Sequence, residues 1–508
     1  MPKVLPRAAN LEQLKKQAKE LRDAQHRREP DALERVAAAL PRLAGGPTQD
    51  AAAGDITLTE AQLVLAREYG FASWPRLKRY VEAAGGAEGD ALEQFKRAVK
   101  DGDAARLRTL FAREPALKHV VDEPLFAFDG PAVVAAKHEL EVLDVLLENG
   151  ADINARSHWW AGSFGVLDDT EPELADQLIK RGAKIDIHAA AGLGRLDLVR
   201  ELVAADPALV NAKGGDGQRP LHFAATTKII DFLLDHGAEI DARDLDHLGT
   251  PAQYKVREPE LCRHLIRRGA AVDIFMACAL GDVELARRVL DADPDCITAR
   301  IGDGGYPPVP DAPGGHIYFY KLAPGHTPHQ VATRLAPQAV YDLLMARSPA
   351  VQRLLAACDR ADAAAVRRLL AETPDLLTKL DPDQRGAMAA AAWENRLEAV
   401  RVMLDAGFDP HWEGAERSTP LERAAWHGFA DVVGLLLERD PKPPLEHRNQ
   451  YGATPLGMCL HGSQHSWRKD GDHAAVAEML IAAGAALPDR ISGSDAVAAV
   501  LRRHGVPE

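Results

Sequence analysis

The chain has 508 residues, 46% of them hydrophobic and 27% charged, which is ordinary for a folded protein and wrong for a disordered one. Lys plus Arg number 61 and Asp plus Glu 75, a formal charge of −14, so nucleic acid and anionic membranes are not expected as targets, because phosphate binding needs a basic stripe. Five scattered cysteines (Cys262, Cys278, Cys296, Cys358, Cys459) without a C-x-x-C pair argue against a disulfide framework or zinc cage and for a reducing compartment, and no apolar run approaches the roughly 18 residues of a spanning helix.

The first elements in chain order are helical. ANLEQLKKQAKELRDAQHRR (9–28) reads as one amphipathic helix with Leu11, Leu14, Ala18 and Leu21 on a face, and PDALERVAAALPRL (30–43) as a second. After a Gly/Ala/Pro/Thr loop at 44–54, residues 58–84 give two more, one capped by Thr59 and ended by Tyr69-Gly70, the other opened by Ser73-Trp74-Pro75. Residues 1–86 hold 14 basic and 11 acidic side chains, about +3, against the acidic trend of the rest.

Beyond this point the chain repeats itself. Five stretches join an apolar helix to a glycine and an extended tail: 142–156, 174–186, 229–243, 261–273 and 476–487, with the glycine at Gly150, Gly182, Gly237, Gly269 and Gly484. A second motif precedes the helices, as in GQRPLHFAA (217–225), LGTPAQY (248–254), HTPHQVA (326–332), STPLERAAWHG (418–428) and ATPLGMCLHG (453–462). Proline in the first turn loses no hydrogen bond, so these motifs start helices. Glycine after the second helix takes the left-handed conformation that ends it, and Asp-x-x-Gly supplies the turn. Four units put a proline stop where the glycine would be: 111–120, 203–213, 289–300 and 369–380.

These residues resemble the ankyrin repeat, a β-turn and two helices over about 33 residues. The resemblance predicts an all-α solenoid of about twelve helix pairs over 87–487, an N-terminal helical cap at 1–86 and a capping helix within 488–508. The 58–84 run is similar to a helical leader of bacterial ankyrin-repeat proteins. By the same resemblance, His222 ties neighbouring loops together by hydrogen bonds. Insertions at 303–325 and 463–473 break the period, and extra loops of a repeat array gather where ligands bind.

No H-E-x-x-H, P-loop or G-x-S-x-G motif is present, so no catalytic residue, cofactor or metal is expected, and an enzyme is the less favoured reading. Aligning 389–396, 421–429 and 456–463 puts Trp393, Trp426 and Leu460 in one column and Glu394, His427 and His461 in the next. By resemblance this column lines the concave side. Trp393, Glu394, Trp426, His427 and His461, with Trp467, form the expected contact patch for a protein partner, because Trp anchors enrich binding centres. His461 and His465 stand four apart, but Gly462 and Ser463 predict that the helix has ended, so a polar loop is expected there rather than a metal pair. In GGHIYFYKL, period 2 predicts a strand showing His316, Tyr318 and Tyr320 on one face, the alternative ligand site. A cytoplasmic, monomeric, non-catalytic scaffold for a partner with a basic face is the expectation. A small-molecule or enzymatic pocket at the 303–325 insertion is the alternative.

Overall fold

A computed structural model describes residues 11–40, 56–69, 71, 73–84, 87–302 and 312–507. Every regular element among them is a helix, and Phe126 and Gly130 form an isolated antiparallel bridge. No helix among the described residues is long and apolar enough to cross a membrane. The chain divides into two compact units, Met1–Ala271 with Pro308–Lys321, and Val272–Pro307 with Leu322–Glu508.

The first unit opens with helices Leu11–His26, Pro30–Ala39, Leu58–Glu68 and Trp74–Ala84. The face read from the sequence is the buried one: Leu14 and Ala18 pack with Leu65, Leu77 and Val81, and Leu21 packs with Val36 and Val64. Arg35 clamps Glu68 with two hydrogen bonds of 2.5 and 2.8 Å. The third helix is capped by Thr57, not by Thr59. Thr57 Oγ1 accepts from the Glu60 amide at 3.2 Å and the Glu60 carboxylate accepts from the Thr57 amide at 2.8 Å, a capping box that satisfies two free donors at once. The loop expected at 44–54 lies outside the described residues.

Paired helices follow. In the first unit they are Ala87–Lys100 with Ala104–Arg113, Ala132–Ala135 with Leu140–Glu148, Ile187–Gly192 with Leu196–Ala205, Pro220–Phe223 with Thr227–Asp235, and Pro251–Tyr254 with Pro259–Arg267. Between the second and third pairs Pro172–Lys180 stands alone, because an irregular loop replaces its first helix. The second unit holds six pairs, from Ile274–Leu280 with Val283–Ala292 to Pro455–His465 with His473–Ala482, and then helix Asp495–Arg503. From Leu354 onward its buried apolar residues form one cluster that includes Leu354, Met388, Val400, Leu421, Leu436 and Leu480.

The local chemistry explains the boundaries. Thr250, Thr327 and Thr419 each cap a helix whose first residue is proline, with Gln253, Gln330 and Glu422 completing capping boxes. In the Arg219-Pro220 unit, His222 Nδ1 takes the place of the glutamate and accepts from the Arg219 amide at 3.0 Å, while Nε2 donates to the Gly249 carbonyl of the next turn at 3.3 Å. Gly237 sits at φ +93° with open space around it, so the left-handed backbone, not crowding, demands glycine there. At the proline stops the helix ends and a short 3-10 turn follows, as in Pro115–His119, Pro207–Asn211 and Pro294–Thr298.

Two local expectations are corrected. GGHIYFYKL forms no strand. The amides of Phe319, Tyr320 and Lys321 bond back to His316 and Ile317 carbonyls, making helix Tyr318–Lys321. His316, Ile317 and Tyr318 turn inward together while Tyr320 is 65% exposed, which no two-residue alternation allows. Helix Pro455–His465 continues through Gly462 and Ser463, and glycine is required at 462 by close approach, since any side chain there would meet the Trp426 carbonyl.

Candidate functional site

In the second unit, stacking brings the expected Trp and His positions into contact on a diagonal. Trp393 closes helix Ala387–Trp393, and its ring centre is 4.2 Å from that of His427 on the next repeat. Trp426 stands 5.3 Å from His461, one repeat further on, and His461 and His465 lie 4.2 Å apart on one helix face. Trp467, from the 463–473 insertion, meets Trp393 at 5.5 Å and His427 at 4.9 Å, both edge to face. The Arg423 guanidinium lies 4.5 Å over the Trp393 ring, a cation–π contact that holds the indole in place.

The members differ in access. Trp467 is 64% exposed, and Trp393 and Trp426 are half-buried. His427 is 1% exposed, so it supports the patch from below and is not a contact residue. Its Nδ1 is hydrogen-bonded to Ser466 Oγ at 2.8 Å, and burial, then the charges of Arg468, His473 and Arg423, push it down to about 4. Glu394 is half-buried and held in ion pairs. Burial alone would raise its carboxyl, but the hydrogen bond donated by His326 at 2.7 Å and the charge of Arg334 hold it at about 2. Arg334 in turn pairs with Asp359 at 3.2 Å.

The first unit holds a cavity of about 810 Å³ where the lone helix lacks its partner. The loop that replaces the missing helix is closed by Ser157, whose amide donates to the Phe164 carbonyl at 2.8 Å and whose Oγ accepts from the Phe164 amide at 2.9 Å. Gly162 in this loop, at φ +141°, abuts the Gly214 carbonyl so closely that no side chain fits. The walls are aromatic. Phe128 meets Trp159 at 5.3 Å and Phe164 at 5.6 Å, and Trp160 lies 6.1 Å from Trp159. The opposite side carries Asp216, Asp246 and His247. Burial pushes the Asp216 carboxyl up to about 6, against the nearby His247, with Asp246 adding to the rise.

Of the residues expected near the 303–325 insertion, Tyr320 lines this cavity, and its hydroxyl donates to the Gly314 carbonyl at 2.8 Å. His316 and Tyr318 are buried beneath and do not line it. Sequence reasoning missed Asp216 and Asp246. Each stands two residues beyond the residue that opens its turn, Gly214 bonded to Gln218 and Asp244 bonded to Gly249, so the two hold one column of consecutive turns. Aligning the turn tips, rather than the helices, is the signal that finds them.

The chain is similar to several proteins. Residues 166–244 match the family model described as ankyrin repeats in three copies. The chain is 26% identical to the E3 ubiquitin-protein ligase KEG of Arabidopsis thaliana over 316 residues, 58% of this chain and 19% of that protein. It is 31% identical to the ankyrin repeat and SAM domain-containing protein 6 of Mus musculus over 122 residues, 23% of this chain and 14% of that one, and 28% identical over 85 residues to serine/threonine-protein kinase 12 of Arabidopsis thaliana, 14% of this chain and 18% of that one. It spans less than a fifth of the length of each of these relatives. The matched segment, the relatives' names and the stacked helix pairs agree: ankyrin repeats are present in this chain.

Proposed function

We propose that this chain is a non-catalytic adaptor that holds a protein partner against the aromatic patch of the second unit. The observation that carries this reading is Trp467, a large side chain 64% exposed yet braced edge-on by Trp393 and His427. An indole held rigid before binding gives up little conformational freedom on contact, which is how a few aromatic anchors come to dominate an interface. Trp393, Trp426 and His461 extend the contact around it. A formal charge of −14 favours a partner with a basic face, whose association weakens with salt. The reading includes a cytoplasmic monomer, the bacterial group with a helical leader at 1–86, and helix Asp495–Arg503 as the closing cap.

The test is affinity capture from the native host with the wild-type chain and with Trp467→Ala, read by mass spectrometry. One protein should be recovered by the wild type and lost at least about tenfold with the variant, as for an anchor worth roughly 1.4 kcal/mol or more. Equal recovery by both chains would reject the patch.

A further inference from the structure

We propose that the cavity of the first unit binds a small organic cation, a primary ammonium seated on Asp216, Asp246 and His247 with its apolar body against Phe128, Trp159 and Trp160. This goes beyond the partner patch, uses different residues in a different unit, and does not depend on it.

The polar side is a convergence of acceptors. His247 Nε2 stands 3.7 Å from Asp216 Oδ2 and 3.8 Å from Asp246 Oδ2, and the three residues offer ligand atoms within 4.8 Å of one another. His247 Nδ1 lies 2.8 Å from the Gly315 carbonyl. A carbonyl only accepts, so Nδ1 carries a proton, and in the tautomer protonated at Nδ1 alone the Nε2 lone pair faces the carboxylates. The Nε2 separations are too long for direct hydrogen bonds. Among the described residues no Lys or Arg pairs with Asp216 or Asp246. An ammonium nitrogen poised over this triangle reaches all three acceptors at about 2.8 Å with its three N–H donors.

The remaining walls choose the kind of cation. An inorganic ion would fill the acidic corner and leave the aromatic side unused. Ring faces attract an alkylammonium and shelter its carbon chain, and the same rings exclude water that would otherwise solvate the charge. The volume of about 810 Å³ lies in the range of small-molecule pockets. Phe128 and Trp160, exposed by 56% and 46%, stand where a ligand enters. The two sides are fixed to each other. Trp159 Nε1 donates to Asp216 Oδ1 at 3.0 Å, which ties the aromatic loop to the acid pair, and the amide of Leu245 donates to the Asp216 carbonyl at 2.7 Å, which sets the register of the two turns.

The experiment is isothermal titration of the full chain with phenethylamine, with phenethyl alcohol as the neutral isostere, and with zinc and manganese chlorides. Saturable phenethylamine binding is expected, at least about tenfold tighter than the alcohol. Asp246→Asn should abolish that preference, and Phe128→Ala, at an exposed side chain, should weaken the amine several-fold with the melting temperature unchanged. Should the Asn variant fail to fold, the alcohol comparison and Phe128→Ala still decide. Equal binding of amine and alcohol, zinc or manganese binding without amine binding, or no saturable amine heat up to about 10 mM would each overturn the proposal.

Discussion

The ring of Trp393 lies 4.2 Å from that of His427, and one repeat on, Trp426 stands to His461 in the same relation at 5.3 Å. The indole that ends one first helix thus rests on the imidazole one column further along its neighbour. The diagonal makes His427 a foundation and leaves Trp467 on top.

That division predicts opposite outcomes for two neighbours in space. His427→Ala removes a ring 1% exposed and leaves Ser466 Oγ with only the Arg468 amide, so urea unfolding should show a loss of about 2–3 kcal/mol. Trp467→Ala should cost under about 1 kcal/mol by the same measurement, because most of its surface is already in water. A larger loss for Trp467 than for His427 would invert the reading.

Acid should weaken the fold earlier than carboxylate chemistry alone would. Burial pushes His222, His316, His329 and His427 each down to about 4 in the folded chain, from about 6.5 when unfolded. Between these values the unfolded chain binds more protons, so stability is complete above about 6.5 and falls as pH drops toward 4. Each histidine contributes a slope approaching about 1.4 kcal/mol per pH unit in that window. Glu394, held at about 2, adds a loss of the same sign only below its usual value near 4.5. Melting temperature measured from pH 7.5 to 4.5 should fall steeply, and His427→Gln with His329→Gln should flatten the slope. A flat profile in the wild type would contradict the burial of these rings.

The repeat glycines are separable by backbone. Gly237→Ala forces a side chain into the left-handed region and should cost about 1 kcal/mol despite the empty space around it. Gly434→Ala lies inside helix Ala430–Leu437, where a Cβ meets only the flexible end of Met479, and should be neutral or stabilising. Chemical denaturation of the two variants gives the comparison directly.

The helix pairs were legible because their signals are local. A Thr-Pro start, a two-turn apolar stripe and a left-handed glycine each act within a few residues of the bond they decide. The errors come from signals that need a neighbour. The alternation at 316–320 reads as a strand only if another strand is there to pair with it, and none is among the described residues. Gly462 reads as a helix breaker until the Trp426 carbonyl of the previous repeat is in place against it. Thr57 and Thr59 are indistinguishable until the Glu60 carboxylate shows which amide it reaches. The acid pair is furthest from sequence reach, since Asp216 and Asp246 meet only once two turns have stacked.

The loop at 157–165 stands where a helix is missing, and the gap has a mechanical meaning. A linear array transmits order from rung to rung through shared faces, and a half-rung transmits less. Residues 87–156 and 187–271 should therefore breathe as separate blocks, with the Trp159–Asp216 bond as a latch between them. Any molecule that settles beside that latch would stiffen the joint, so occupancy there would be felt on both sides of it.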